Sequence, residues 1–142
     1  MSKVTHFRQF EQTDSGDLCL VNTFLAKYRK SLEYSSCVRA NVEIILSQKG
    51  NASIKNLSML SKCCSQRQIE RNFKSEIGTS PKKFSEVIQF KYALELLKQN
   101  KYTLVDIALS AGYYDQAHFI NSFKKFTGTT PENFLKQSSK RV

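Results

Sequence analysis

The sequence predicts an all-α protein in which two small helical units of similar sequence are bridged by a long helix, with an extra helix at the N-terminus. The first observation is an internal repeat: FKSEIGTSPKKF at residues 73–84 returns as FKKFTGTTPENF at residues 123–134, an offset of 50 positions. The second is apolar spacing of 3 and 4 residues, which is typical of amphipathic helices. A repeat of this length indicates two copies of one supersecondary unit.

Composition narrows the class of partner. The chain has 142 residues, 40% of them hydrophobic, which suffices for one compact domain or two small ones. It carries 22 basic and 12 acidic residues, a formal net charge of +10. From Ser36 onward the chain holds 17 basic and 8 acidic residues, so the excess belongs to the repeat region. This balance favours nucleic acid, with an anionic membrane surface as the alternative.

The cysteines and the N-terminus predict a reduced, soluble, cytoplasmic protein without a metal or another cofactor. No Cys-x-x-Cys pair occurs, and neighbouring Cys63 and Cys64 cannot readily bridge each other. Residues 1–10 have no apolar core like that of a signal peptide, and no run approaches the length of a membrane span. The candidate metal ligands are few and scattered: Cys19, Cys37, Cys63, Cys64, His6 and His118.

The N-terminal extension, residues 1–35, is predicted to contain one helix. Residues 1–16 have no periodicity, whereas a helix should begin at Asp17 and end near Tyr34 (residues 17–34). Its apolar residues follow the a/d pattern of two heptads, which would suit either packing against its own domain or a homodimer. These residues are Leu18, Val21, Leu25, Tyr28 and Leu32.

A second helix should follow the capping residues Ser35 and Ser36 and stop at Lys49 and Gly50. Its inward side chains are predicted to be Val38, Val42, Ile45 and Leu46.

The first repeat unit is assigned to residues 53–78. Ser53 should cap a short helix, residues 62–64 form the turn, and Ser65 should cap the next helix. The core side chains are predicted to be Ile54, Leu57, Leu60 or Ser61, Ile69, Phe73 and Ile77. The opposite face of the second helix is polar and net positive, with Arg67, Glu70, Arg71 and Lys74.

A long helix over residues 81–99 should begin with Ser80 as cap and Pro81 at its first position. It carries two apolar stripes, which predicts burial on two sides and a nearly fixed spacing between the units. The stripes are Phe84, Ile88, Tyr92 and Leu96, and Val87, Phe90, Leu94 and Leu97.

The second repeat unit is assigned to residues 103–128. Thr103 and Asp115 should cap its two helices, and Gly112 allows a turn with positive φ. Leu104, Ile107, Ala108, Phe119, Phe123 and Phe126 are predicted to face inward. The outward face of the second helix holds Gln116, Ala117, His118, Asn121, Lys124 and Lys125. A short last helix should run from Pro131 through Leu135, with residues 137–142 as a loose basic tail.

Two short helices, a tight turn and a polar outer face make up the helix-turn-helix pattern, whose second helix fits the DNA major groove. The chain resembles the DNA-binding domain of the AraC/XylS transcriptional regulators over residues 37–137. The resemblance is strongest in SQRQIERNFKSEIGTSPKKF (65–84) and DIALSAGYYDQAHFINSFKKFTGTTPENF (106–134). It implies seven helices over residues 36–142, with both recognition helices in successive major grooves of double-stranded DNA.

The resemblance also implies roles for individual residues. Base-facing positions would be Arg67, Glu70, Arg71, Gln116, Ala117, His118 and Asn121. Gln66, Lys74, Lys124 and Lys125 would lie nearer phosphates. Two departures stand out: Lys62 occupies the place that Gly112 has in the second turn, and Asn121 stands where many members have a basic residue. The first turn could therefore be strained or differently shaped.

The leading hypothesis is a sequence-specific DNA-binding transcription regulator, and the resemblance implies an activator more often than a repressor, with RNA polymerase as a possible partner. The alternative is a helical protein-interaction module with only nonspecific affinity for DNA. An enzyme is not expected, because no paired carboxylates, activated nucleophile or metal cluster is assembled in the sequence. Since the two outer faces differ, the DNA site should consist of two different boxes.

Overall fold

The computed structural model describes residues 34–62 and 64–140, together with residues 23, 25 and 26. Seven helices and no strands occur within residues 34–62 and 64–140, as predicted. They are α1 (Ser36–Ser47), α2 (Ile54–Ser61), α3 (Gln66–Glu76), α4 (Pro81–Lys98), α5 (Leu104–Ser110), α6 (Gln116–Thr127) and α7 (Pro131–Ser139). The helix predicted over residues 17–34 lies outside the described residues, apart from residues 23, 25 and 26, which are helical.

The predicted caps begin the helices. A side-chain oxygen at each capping position accepts the backbone N–H three residues on, which satisfies a donor that the helix itself leaves unpaired. The caps that act in this way are Ser35, Ser53, Ser65, Ser80, Thr103, Asp115 and Thr130.

Two compact units divide the chain between Gln89 and Phe90, a boundary that falls within α4. Most of the buried side chains among the described residues of the first unit are aliphatic, and Phe73 of α3 contacts Phe84 of α4 edge to face, with ring centroids 5.8 Å apart. The other fully or almost fully buried side chains of this unit include Val38, Val42, Ile45, Leu57, Ile69 and Ile77.

The second unit has an aromatic core. The ring of Phe123 lies between those of Phe90 and Phe134, with centroids 5.4 Å from each. Phe126 stacks on Phe90 at 4.7 Å, and Phe119 meets Phe123 at 5.9 Å. Such pairs add to the free energy of area burial, so α4, α6 and α7 are held together by one aromatic cluster.

The predicted burial of the long helix is confirmed within each unit. Phe84 and Val87, which belong to the first unit, and Phe90 and Leu97, which belong to the second, are all buried. Tyr92 and Leu96 of the predicted stripes are only half-buried. Lys91 is buried as well, with 9% of its surface exposed.

Gly50 ends the α1 segment in close contact with α4. Its φ is +82°, and a Cβ added there would lie 2.3 Å from the Ser85 carbonyl oxygen and 2.5 Å from the Gln89 backbone nitrogen. The chain can therefore pass this close to α4 only without a side chain.

Of the two alternatives for the inward residue at the end of α2, Ser61 is half-buried, whereas Leu60 is 56% exposed. The prediction for the C-terminal residues needs correction. The last helix extends to Ser139, so residues 137–139 are helical and not a loose tail. The hydroxyls of Ser138 and Ser139 donate to the carbonyls of Phe134 and Leu135, which supports the additional turn.

The cysteines also differ from expectation, because two of them meet. The sulfurs of Cys37 in α1 and Cys64, 27 residues later in the turn before α3, are in direct contact, with Cα atoms 6.9 Å apart. The expectation of separate, reduced thiols had considered only the adjacent pair Cys63 and Cys64.

Among the described residues, no group of three or more potential ligands is arranged to hold a metal ion, and none of their helices is long and apolar enough to cross a membrane.

Candidate nucleic-acid interface

The outer face of α3 is polar along its whole length. Arg67, Glu70, Arg71 and Lys74 follow one another at spacings of 3, 1 and 3 residues, and all four side chains are exposed. Gln66, at the first position of the helix, is exposed as well. The opposite face packs into the core through Ile69 and Phe73, both fully buried. The apolar back therefore fixes which side chains α3 presents to solvent.

A carboxylate at the end of α3 anchors the helix to α1. Glu76 accepts hydrogen bonds from the backbone N–H of Ser35 at 3.0 Å and from its hydroxyl at 2.8 Å. A negative charge at the N-terminus of α1 is also favoured by the helix dipole. Because Ser35 is 41 residues away in sequence, spacing arguments did not find this contact.

The turn before α3 uses a lysine in a left-handed conformation. Lys62 has φ of 52°, while Gly112 at the equivalent place in the second unit has φ of 83°. Both turns therefore have a residue in the left-handed conformation at the equivalent position. The different shape that was predicted for the first turn is not required to accommodate Lys62. The strain is borne by a non-glycine residue, at a cost of about 1 kcal/mol.

The outer face of α6 is equally exposed but carries shorter and fewer charged groups. At the positions equivalent to Arg67 and Arg71, 50 residues later, α6 has Ala117 and Asn121. All six predicted outward residues are exposed, namely Gln116, Ala117, His118, Asn121, Lys124 and Lys125. The buried side is formed by Phe119, Phe123 and Phe126.

His118 takes part in the cap of α6 in two ways. Its backbone N–H donates to Asp115 Oδ1 at 2.7 Å, and its ring Nδ1 accepts the backbone N–H of Tyr114 at 3.2 Å. The ring also lies edge to face with Tyr113, with centroids 5.2 Å apart. The imidazole is therefore held in one orientation although it is exposed.

Tyr113 supports this arrangement and was missed in the sequence. It is buried, its ring lies 5.3 Å from that of Phe119, and its hydroxyl is 3.5 Å from Ser122 Oγ. An aromatic residue shortly before a capping residue resembles the hydrophobic staple, and that signal could have indicated it.

A helix with an apolar back and long polar arms on its front has the dimensions to enter the major groove. Arginine can donate to two acceptors of guanine at once, whereas lysine contributes a point charge suited to phosphate. Each unit places one such helix directly after a tight turn. These features together define a protein with two helix-turn-helix units.

Comparison with known proteins gives the family. A family of helix-turn-helix domains matches residues 61–137, more than half of the chain. The chain belongs to this family of helix-turn-helix domains, which is of the AraC type.

Two individual relatives are also transcriptional regulators by name. The regulator MtrA of Neisseria gonorrhoeae is 31% identical over 77 residues, which are 54% of this chain and 26% of MtrA. The virulence regulon transcriptional activator VirF of Yersinia enterocolitica is 36% identical over 59 residues, 42% of this chain and 22% of VirF. The chain thus spans about a quarter of the length of these relatives.

Among solved structures, a probable AraC family transcriptional regulator from Rhodopseudomonas palustris superposes with a TM-score of 0.62 at 27% identity. The match covers 72% of this chain and 97% of that one. The likeness confirms the all-α fold that the repeat predicted.

Proposed function

We propose that residues 36–142 form a DNA-binding domain and that the protein is a sequence-specific transcription regulator, inserting α3 and α6 into the major groove of double-stranded DNA. The observation that carries this proposal is the repetition of one design. In both units a capped helix follows a turn with a left-handed residue, buries apolar side chains on one side and exposes polar side chains on the other.

The first unit has the side chains best suited to base recognition. Arg67 and Arg71 lie one helical turn apart on the exposed face of α3, and either can pair with guanine O6 and N7. Glu70, between them, can accept from the cytosine amino group. Gln66 at the start of the helix and Lys74 near its end are assigned to phosphates.

The second unit offers a different set. Gln116, His118 and Asn121 can form hydrogen bonds with base edges, whereas Ala117 can provide only an apolar contact such as one with a thymine methyl group. Lys124 and Lys125, both exposed, are assigned to phosphates. We therefore expect the second unit to position the protein on DNA through phosphate contacts as much as it recognises the base sequence.

Activation of transcription, contact with RNA polymerase and a cytoplasmic location follow from the proposed role rather than from the fold. The similarity to VirF, described as an activator, supports activation over repression. A homodimer through residues 17–34 is a separate possibility suggested by their heptad pattern.

A second candidate function is a protein-interaction module, which is favoured by exposed apolar side chains at one equivalent position. Met59 in α2 and Leu109 in α5 are each 63% exposed. This function would require only nonspecific DNA affinity. If α3 and α6 bind DNA as proposed, neutralising about five to eight phosphates should give a slope of about −5 to −7 for log K against log salt. A slope shallower than about −2 would favour the interaction module.

The proposed function is tested by comparing two variants on two DNAs. Arg71→Ala should weaken binding to a selected site by about 1–3 kcal/mol and leave random DNA much less affected. Lys124→Ala should weaken both about equally, because a phosphate contact carries no sequence information. Equal losses for Arg71→Ala on both DNAs would reduce Arg71 to a phosphate contact.

A further inference from the structure

The imidazole of His118 has one nitrogen already engaged inside the protein. Nδ1 accepts the backbone N–H of Tyr114 at 3.2 Å, while the backbone N–H of His118 donates to Asp115 Oδ1 at 2.7 Å. The arrangement resembles a capping box with histidine in the place usually taken by glutamate or glutamine, except that the ring accepts from Tyr114, the residue before the cap, and not from Asp115 itself. The arrangement lies at the N-terminal end of α6, on its exposed face.

This contact decides which tautomer the neutral ring adopts. A nitrogen that accepts a hydrogen bond carries no proton, so the proton of the neutral imidazole must be on Nε2. The edge-to-face contact with Tyr113, at 5.2 Å, restrains the ring further. His118 therefore offers one hydrogen-bond donor to a ligand and no acceptor.

The equivalent residue of the first unit is not restrained in this way by any hydrogen bond that the structure shows. Gln68 is the third residue of α3, as His118 is of α6, and its backbone N–H is likewise capped, by Ser65. A glutamine amide contains both a donor and an acceptor. The donor-only character is thus a property of the second unit.

We infer that His118 is a specificity-determining residue whose Nε2–H donates to a guanine N7 in the major groove. This inference rests on the proposed DNA-binding function, and it names the base and the atom that one residue of the site recognises. Guanine presents only acceptors, N7 and O6, at its major-groove edge, whereas cytosine presents an amino donor that would face the donor of His118. Adenine N7, thymine O4 and the phosphate oxygens are the other acceptors that DNA offers, and the experiment separates them from guanine N7.

The tautomer can be measured without DNA. Nitrogen–proton correlation spectra of the neutral imidazole should show that the proton of His118 is on Nε2. Protonation at Nδ1 in the folded protein would overturn the inference at its first step.

The contact itself is tested with DNA in which single guanines of a selected site are replaced by 7-deazaguanine. This base still pairs with cytosine but has a carbon in place of N7. At one position the replacement should weaken binding of the wild-type protein about fivefold to tenfold, the effect of one lost hydrogen bond. His118→Ala should bind both DNAs equally.

Two further variants separate base recognition from the cap. His118→Glu keeps an acceptor for the Tyr114 N–H but has no donor, so it should retain the thermal stability and lose the 7-deazaguanine penalty. His118→Gln has both an acceptor and a donor and should restore the penalty. A penalty of the same size in all four proteins would overturn the inference.

The remaining arm replaces single phosphates next to that guanine by methylphosphonate. A loss that depends on His118 in this arm alone would identify a phosphate contact and overturn base reading. Selection from random DNA that yields no motif would overturn the proposed function, and with it this inference. A motif with no His118-dependent guanine would overturn the inference alone.

Discussion

The two units share a plan but differ in how it is stabilised and in what it presents. The second unit encloses an aromatic cluster around Phe123, whereas most buried side chains in the described part of the first unit are aliphatic, and Phe73 packs there against Phe84. Conversely, α3 presents Arg67 and Arg71 where α6 presents Ala117 and Asn121.

The caps differ in the same direction. Thr103 and Asp106 form a complete capping box at the start of α5, while Ser53 at the start of α2 only accepts from the N–H of Asn56. The second unit thus has the more complete cap, and we propose that the first unit has the greater capacity for base recognition.

The largest effect should come from Gly50, where the first unit has no room for a side chain. Gly50→Ala places a Cβ 2.3 Å from the Ser85 carbonyl oxygen on a backbone with φ of +82°. We expect a loss of about 4 kcal/mol or more, enough to unfold the first unit in urea titrations. Gly78→Ala is the matched control, since its φ is +95° but nothing lies within 4 Å, so it should cost only about 1 kcal/mol. Similar losses for the two variants would show that α1 and α4 are not in close contact at this point.

Lys91 is expected to lower the stability of the second unit, because its charged side chain is buried. Burial lowers the pKa of Lys91 from 10.5 to about 8, partly offset by the charge of Glu95. Below pH 8 the lysine is charged in both folded and unfolded states, and the folded state bears the cost of burying it. Between pH 8 and 10.5 only the unfolded state binds the proton, so stability should rise with pH, by about 3 kcal/mol in total from this group.

Lys91→Met should remove this rise and increase the free energy of unfolding at pH 7 by a similar amount. The matched control is Lys101→Met at an exposed position, which should leave the pH dependence in place. Unfolding curves at a series of pH values measure both. An unchanged pH dependence in Lys91→Met would contradict the burial of a charged group in this unit.

The two turns should respond oppositely to exchange of their left-handed residues. Lys62→Gly relieves a non-glycine residue at φ of 52° and should stabilise the first unit by about 1 kcal/mol. Gly112→Ala introduces the same strain at φ of 83° and should destabilise the second unit by about that amount. Effects of the same sign in thermal denaturation would mean that the turns are not built alike.

The smallest effects concern the caps. Asp106→Ala removes the carboxylate that accepts both the N–H and the hydroxyl of Thr103, and should cost about 1 kcal/mol. Asn56→Ala at the equivalent position changes only a side chain that takes no part in the cap and should cost a few tenths at most. Equal losses of stability in the two variants would show that the caps of α2 and α5 do not differ in strength.

Features that depend on neighbouring residues were predictable from the sequence. Ser65 and Asp115 cap their helices by bonding three residues ahead, and the buried positions of Ile69, Phe73, Phe119 and Phe123 follow from helical spacing. The same helical spacing predicts the exposed faces of α3 and α6, because the polar residues fall on the side opposite the apolar ones. The repeat also gave the order of the helices.

Features that depend on the approach of distant segments were not predictable. Ser35 meets Glu76, Cys37 meets Cys64, and Gly50 meets the backbone of α4 only because folding brings separate helices together. The burial of Lys91 is a fourth case, because a lysine within an apolar stripe is usually expected to reach solvent. The roles of single residues in DNA recognition remain proposals for the same reason, since the partner is not encoded in the spacing.

The unequal division of reading between the two units is tested most directly by selecting bound sites from random DNA with the wild-type protein, Arg71→Ala and Asn121→Ala. We predict that the wild-type protein selects two different boxes without inverted symmetry, because its two readers differ. Arg71→Ala should lose base preference in one box only, and Asn121→Ala should produce a smaller loss confined to the other box. A palindromic motif, or a relaxation of both boxes by either substitution, would contradict the account.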